Sequence, residues 1–219
     1  MDWKPTAFQT PATLSETIYL TLKKAIIDGE IKPGQRLQEK EIATLFSASS
    51  TPVREAFFRL SAEKYLVITA RKEVLVQDAT LEEVQELYEI VRVLDKFAVR
   101  NALKTIRKDG VETLRTMTRE LGRLRDAGDH PGYLEQNLSI HDVIWRSCAN
   151  AFLYEILTEL MAKIGIYRRK FGLPPFSSPA ALEKSYQDHR NLLLFIETGN
   201  LEGLEKLIDA HWGEEFIIS

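Results

Sequence analysis

Apolar residues recur along this chain in two rhythms, and the change between them divides it. From Leu14 to Ile27 the residues Ile18, Leu22, Ala25 and Ile26 share one side of a 3.6-residue period, which predicts an amphipathic helix ending near Asp28-Gly29. Pro33-Gly34 marks a turn. A first short helix from about Gln38 to Phe46 carries Ile42, Ala43, Leu45 and Phe46. A second, after the polar Ser47-Ala48-Ser49-Ser50, carries Val53, Ala56, Phe57 and Leu60. Thr51 is its expected N-cap and Pro52 its first helical residue, where a missing N–H costs nothing. Tyr65–Ala70 and Val74–Asp78 are rich in β-formers and flank Arg71-Lys72-Glu73, a predicted hairpin with two basic residues at its tip.

Beyond Thr80 only the helical period remains. Thr80-Leu81-Glu82-Glu83 reads as a capping box that opens a helix to about Lys104. Further helices are predicted over Gly110–Ala127, Tyr133–Cys148 and Ala151–Phe171, the last ended by Gly172-Leu173-Pro174-Pro175. Another, capped by Ser178-Pro179, runs to Thr198, and a last one runs from Leu201 to about Phe216. The fold class is therefore mainly α: an N-terminal winged helix-turn-helix followed by a C-terminal all-α bundle of six helices. Residues 1–13 read as a flexible arm, 14–78 as the winged domain and 79–219 as the helical domain.

Two helices joined by a tight polar turn, the second apolar behind and carrying Arg54 near its start, suit a helix that enters the DNA major groove. Ser49, Thr51 and Arg54 stand at its front. Lys40 on the preceding helix and Arg71 and Lys72 on the wing are expected to meet phosphates. The net charge of −3 argues mildly the other way. Residues 1–78 carry 11 Lys/Arg against 10 Asp/Glu, and the remainder 18 against 22, so DNA contact requires clustering of the basic groups on one face. No apolar run approaches the length of a membrane span, and no secretory signal opens the chain. The single cysteine, Cys148, excludes an internal disulfide and fits a reducing cytoplasm. No phosphate-binding glycine loop or nucleophile elbow is present.

Chemistry in the helical part rests on histidine. His130 lies in the break after Gly128, but His141, His189 and His211 lie on apolar helical faces. His189 precedes Gly199 by 10 residues and His211 follows Asn200 by 11. If Gly199-Asn200 folds the last two helices into a hairpin, both rings stand roughly 15 Å from the turn and face each other. Asn137 is one helical turn before His141. Three imidazoles and an amide oxygen converging inside a bundle describe a divalent-metal site. The alternative is three separate core histidines, each satisfied locally.

Gly29-Glu30-Ile31-Lys32-Pro33-Gly34-Gln35-Arg36-Leu37, followed by Glu39, Ser49 and Thr51-Pro52-Val53-Arg54-Glu55-Ala56, resembles the winged helix-turn-helix of the GntR family of bacterial transcription regulators. The C-terminal part resembles the FCD effector domain of the family's FadR/VanR branch, its six helices pointing to the smaller VanR-like subgroup. The resemblance implies a homodimer on a near-palindromic double-stranded DNA operator, a repressor, and a metal held by Asn137, His141, His189 and His211 beneath a small carboxylate effector. Three imidazoles favour zinc or nickel. Arg92, within Tyr88-Glu89-Ile90-Val91-Arg92-Val93-Leu94-Asp95, matches a family arginine suited to clamping a carboxylate. Its alternative is a surface pair with Glu89 or Asp95.

The chain departs from the family at four places. Lys64 and Glu73 stand where glycine is expected, so a left-handed backbone there is strained. Ser50 stands where arginine is common, and Asn137 replaces an aspartate, removing one negative charge from the metal site. That last change leaves room for a metal-free effector domain with a bulkier ligand such as an acyl-CoA. A metalloenzyme, the other chemistry of three histidines, lacks an H-E-x-x-H motif and leaves the DNA-reading part unexplained.

Overall fold

A computed structural model describes residues 13–172 and 178–212. It divides into two compact units, with the boundary between Ala79 and Thr80. Of the expected flexible arm only Thr13 lies within the described residues, and it caps a helix. The ends expected at Leu173-Pro174-Pro175 and Phe216 lie outside them.

In the first unit, α1 (Leu14–Asp28) starts where the Thr13 hydroxyl accepts the Glu16 N–H at 3.1 Å. It stops at Gly29, whose φ of 82° needs no Cβ. Strand β1 (Arg36–Leu37) leads into α2 (Glu39–Leu45) and α3 (Ser50–Ala62). Ile18, Leu22 and Ile26 of α1 pack with Val53, Ala56, Phe57 and Leu60 of α3, all buried. Burial of the larger of these stabilises the unit by about 1.5–3 kcal/mol each. Strands β2 (Leu66–Ile68) and β3 (Val74–Val76) form the wing, and β1 adds to its other edge, giving the antiparallel order β1-β3-β2. Leu37 and Ile68 both stand opposite Val74. At two residues, β1 is too short for any period to reveal.

Two local expectations need correction. The N-cap of α3 is Ser49, not Thr51, because Ala48 closes α2 by giving its N–H to the Ala43 carbonyl at 2.8 Å and the next helix begins at once. Pro52 becomes the third helical residue, still in the turn whose N–H groups have no partner within the helix. In the wing, the positive φ falls on Lys72 (61°) rather than Glu73. Lys72 gives its N–H to Thr69, and Thr69 to Glu73, each at 2.9 Å. The three-residue loop 70–72 thus closes with its last residue left-handed. Lys64 has φ 58°, as its place in the motif implies.

The second unit has six helices among the described residues: α4 (Leu81–Thr105), α5 (Lys108–Ala127), α6 (His130–Ser147), α7 (Ala151–Lys170), α8 (Pro179–Thr198) and α9 (Leu201–His211). The capping box is formed: Glu83 gives its N–H to the Thr80 hydroxyl at 3.2 Å, and the Thr80 N–H reaches the Glu83 carboxylate at 2.6 Å. The break at 128–132 is tighter than its glycines suggest. Gly128 (φ 69°) ends α5, Asp129 caps α6, and the exposed His130 is already helical. Helix α4 packs on α6, α7 and α9, α5 on α6 and α8, and α8 on α9. Gly199 (φ 68°) and the Asn200 cap fold α8 back along α9. No described helix is long and apolar enough to cross a membrane.

Candidate DNA-reading helix and metal centre

Burial of Val53, Ala56, Phe57 and Leu60 turns the opposite side of α3 to solvent, and Ser49, Thr51 and Arg54 lie there exposed, within its cap and first turns. The Arg54 Nε donates to the Glu39 carboxylate of α2 at 2.7 Å. That hydrogen bond raises the guanidinium pKa, and together with Ser50 it lowers the Glu39 carboxyl. Both groups face water, so the pair orients Arg54 more than it stabilises the fold. Lys40, Arg71 and Lys72 are exposed as well, and Arg36 pairs with Glu73 across the wing at 3.0 Å.

The three helical histidines meet inside the second unit. His141 comes from α6, His189 from α8 and His211 from α9, all buried. One ring nitrogen of each lies within 4.8 Å of the others. The His189 and His211 ring centroids are 5.1 Å apart, the facing that their equal distance from the Gly199 turn predicts. His141 Nε2 and His211 Nε2 are 3.3 Å apart. His189 Nδ1 donates to the Ser185 carbonyl at 2.7 Å, four residues back on α8, and His189 Nε2 is buried with no hydrogen-bond partner among the described residues. His211 Nδ1 contacts the Asp188 carboxylate at 3.1 Å. The outward bonds at Nδ1 leave Nε2 as the inward atom on these rings.

The electrostatics suit ligation. Burial, and then the charges of His211 and His189, push His141 well below the usual imidazole value. Burial, and then His211, push His189 down to about 3. Both rings are neutral at pH 7, with lone pairs a cation can take without displacing a proton. Burial acts upward on Asp188, but its hydrogen bond to His211 and the charges of His211 and Lys184 outweigh this and hold the carboxyl below its usual value. The rings line a cavity of ≈ 10 Å³ with Asp188, Leu192, Leu207 and Ile208, room for a single ion or water.

Asn137 is buried on α6 and gives an amide N–H to the Ser185 hydroxyl at 3.2 Å. Ser185 also accepts the Tyr133 hydroxyl at 3.1 Å. The amide oxygen of Asn137 takes no part in that bond. Arg92 is half-buried one turn before Asp95 on α4 and forms no ion pair with Glu89 or Asp95 among the described residues. It does not line the small cavity.

Three polar groups of the site escaped the sequence reading. Asp188 holds His211, Ser185 ties Asn137 to His189, and the fully buried Asp95 accepts the indole N–H groups of Trp145 and Trp212, each at 2.6 Å. Asp95 had a readable signal. It interrupts the buried series Val84, Tyr88, Val91, Ala98 and Ala102 at regular helical spacing, where a carboxylate needs a buried partner.

A winged helix-turn-helix followed by a separate helical domain that buries a tri-histidine cluster is the build of a two-domain DNA-binding regulator. Residues 14–76 match the bacterial regulatory proteins of the gntR family, and residues 86–214 match the FCD domain. The chain belongs to the GntR family and is a transcription regulator with an FCD domain, not an enzyme. The HTH-type regulator YdhC of Bacillus subtilis is 23% identical over 90% of this chain and 87% of its own length. The gluconate operon transcriptional repressor of the same organism is 25% identical over 86% of this chain and 75% of its own. The structure of Escherichia coli McbR/YncC superposes with a TM-score of 0.70 at 22% identity, over 92% of this chain and 94% of that one.

Proposed function

We propose that this chain is a homodimeric, cytoplasmic repressor whose residues 14–78 bind a near-palindromic operator and whose residues 79–219 bind a divalent transition metal and a small carboxylate effector. The observation that carries the effector reading is the convergence of three buried imidazoles, with His189 and His211 fixed from behind and no hydrogen-bond partner at His189 Nε2 among the described residues. Three nitrogen ligands with little carboxylate character favour zinc or nickel, with the Asn137 oxygen as the fourth protein ligand. When bound, the metal supplies a Lewis-acidic anchor for carboxylate oxygens. Arg92, which forms no ion pair among the described residues, is the clamp on the ligand's far side. An effector that engages both must extend from the small cavity toward α4.

In the DNA-binding unit, Arg54, Thr51 and Ser49 meet bases and nearby phosphates, and Lys40, Arg71 and Lys72 meet phosphates. One recognition helix buries too little surface for useful affinity, which supports a dimer. Ile90, Val93 and Phe97 form an exposed apolar stripe on α4, and a homodimer packed there removes it from water. Effector binding changes operator affinity by the ratio of its affinities for the free and DNA-bound dimer.

Elemental analysis of untagged protein, purified without chelators, tests the metal. Near-stoichiometric zinc or nickel is expected. Protein that is empty and takes up no added metal favours the metal-free alternative, for which the neutral Asn137 already speaks, and turns the effector search to bulkier ligands.

A further inference from the structure

The outer nitrogens of His189 and His211 are each held by an oxygen, at 2.7 Å from Ser185 and 3.1 Å from Asp188. His141 is the exception. Its Nδ1 is buried without a hydrogen-bond partner among the described residues, and the carboxylate oxygen in an ion-pair relation to it, Asp95 Oδ2, stands 3.7 Å away. That carboxylate lies on the central helix α4 and is fully buried. Its two oxygens each accept one indole N–H, from Trp145 of α6 and from Trp212, the residue that follows α9. Among the described residues no lysine or arginine pairs with it. A buried carboxylate without a cation is costly, and two neutral N–H donors compensate only part of that cost.

A metal at the cluster supplies what is missing on both sides. An imidazole that ligates through Nε2 carries its proton on Nδ1, and a buried donor needs an acceptor. An approach of about 0.8 Å brings Asp95 to ordinary hydrogen-bond length, ~2.9 Å. The charge argues the same way. Three neutral imidazoles and the neutral amide of Asn137 leave a divalent ion uncompensated, and the other carboxylate at the site, Asp188, is shared with Lys184 at 3.3 Å.

We propose that Asp95 is a positioning residue of the metal centre: it accepts the His141 Nδ1–H and supplies the negative charge that Asn137 does not. The Trp145–Asp95–Trp212 clip holds the carboxylate at that place. This rests on the metal reading above and adds to it a role for a residue on a different helix from any ligand.

Zinc affinity of the full chain, measured by chelator competition, is the test. Asp95→Asn should bind zinc 10–100-fold more weakly than the wild type, the loss typical of removing an outer-shell partner. In a His141→Ala background the same substitution should cause no further loss. An equal loss in both backgrounds means that Asp95 acts on the fold, and an unchanged affinity means that it does not act on the site; either overturns the proposal while leaving the metal reading intact. Wild-type protein that binds no zinc overturns the metal reading first. A second measurement needs no variant. In zinc-loaded wild type, long-range ¹⁵N–¹H spectra should show His141 protonated at Nδ1 with a strongly deshielded proton. A ring protonated at Nε2, or an Nδ1 proton at an ordinary shift, overturns the assignment.

Discussion

At the scale of single residues, the two functional units invite different experiments. The Arg54 Nε donates to Glu39 at 2.7 Å, so in the proposed complex DNA competes with an existing bond. Arg54→Ala should weaken operator binding by about 1–3 kcal/mol, roughly 10–100-fold, without changing the oligomeric state. Gel-shift titration beside size-exclusion chromatography reads both, and full-strength binding by the variant removes Arg54 from the interface. His189→Ala should abolish metal uptake and the effector response while operator binding persists; unchanged metal content reduces His189 to a core residue. The same rings set an acid limit on the metal-free protein. His141 and His189 are held below the unfolded value of about 6.5, so below that pH the unfolded chain binds more protons than the folded one. Stability should fall as pH drops below about 6.5, with the share from His189 still growing toward pH 3. Urea melts of chelator-stripped protein at pH 7 and pH 5 measure this, and equal midpoints contradict it.

At the scale of elements, the wing and the end of α3 carry side chains in backbone conformations that favour glycine. Lys64 has φ 58° directly after α3, and its N–H bonds the Ser61 carbonyl at 3.0 Å, so the chain must reverse there. A left-handed conformation costs a residue with a Cβ about 1–2 kcal/mol, and glycine loses part of that advantage in the unfolded state. Lys64→Gly should therefore stabilise the first unit by up to about 1 kcal/mol, visible as a higher melting temperature. A lower melting temperature means that the Lys64 side chain makes a contribution its exposure hides. The α8–α9 hairpin shows the opposite case. Gly199 meets its φ of 68° without strain, and this turn sets the two histidines side by side.

At the scale of the whole molecule, the proposed function requires a second copy and DNA. Val93 is 64% exposed between Ile90 and Phe97 on α4, where a charge costs the monomer almost nothing. Val93→Glu should convert a dimer packed on this stripe to monomers in sedimentation and reduce operator affinity, with helix content retained. A dimer that persists places the interface elsewhere. Operator binding should also weaken steeply with salt if, as proposed, Lys40, Arg71 and Lys72 neutralise phosphates, because each such contact releases counterions.

The fold was legible in the sequence wherever a face repeats over three or more turns. The helices of the second unit, their capping box and the αL glycine between the last two follow from periodicity and turn chemistry, which are local and survive without tertiary context. The facing of His189 and His211 was legible too, because equal distances from one tight turn mean equal height on two antiparallel helices. What packing decided lies at short range in space and long range in sequence. The strand β1 exists only because β3 offers an edge, the cap moved to Ser49 because α2 ended where it did, and Glu39 found Arg54 across a turn. Asp95, 46 residues before His141 and 117 before Trp212, was brought to the histidines by the stacking of α4 on α6 and α9. A sequence states how each helix divides its faces. Which faces touch, and so which polar groups share a dry interior, is settled by tertiary packing, because a buried charge is tolerable only beside partners that distant segments bring to it.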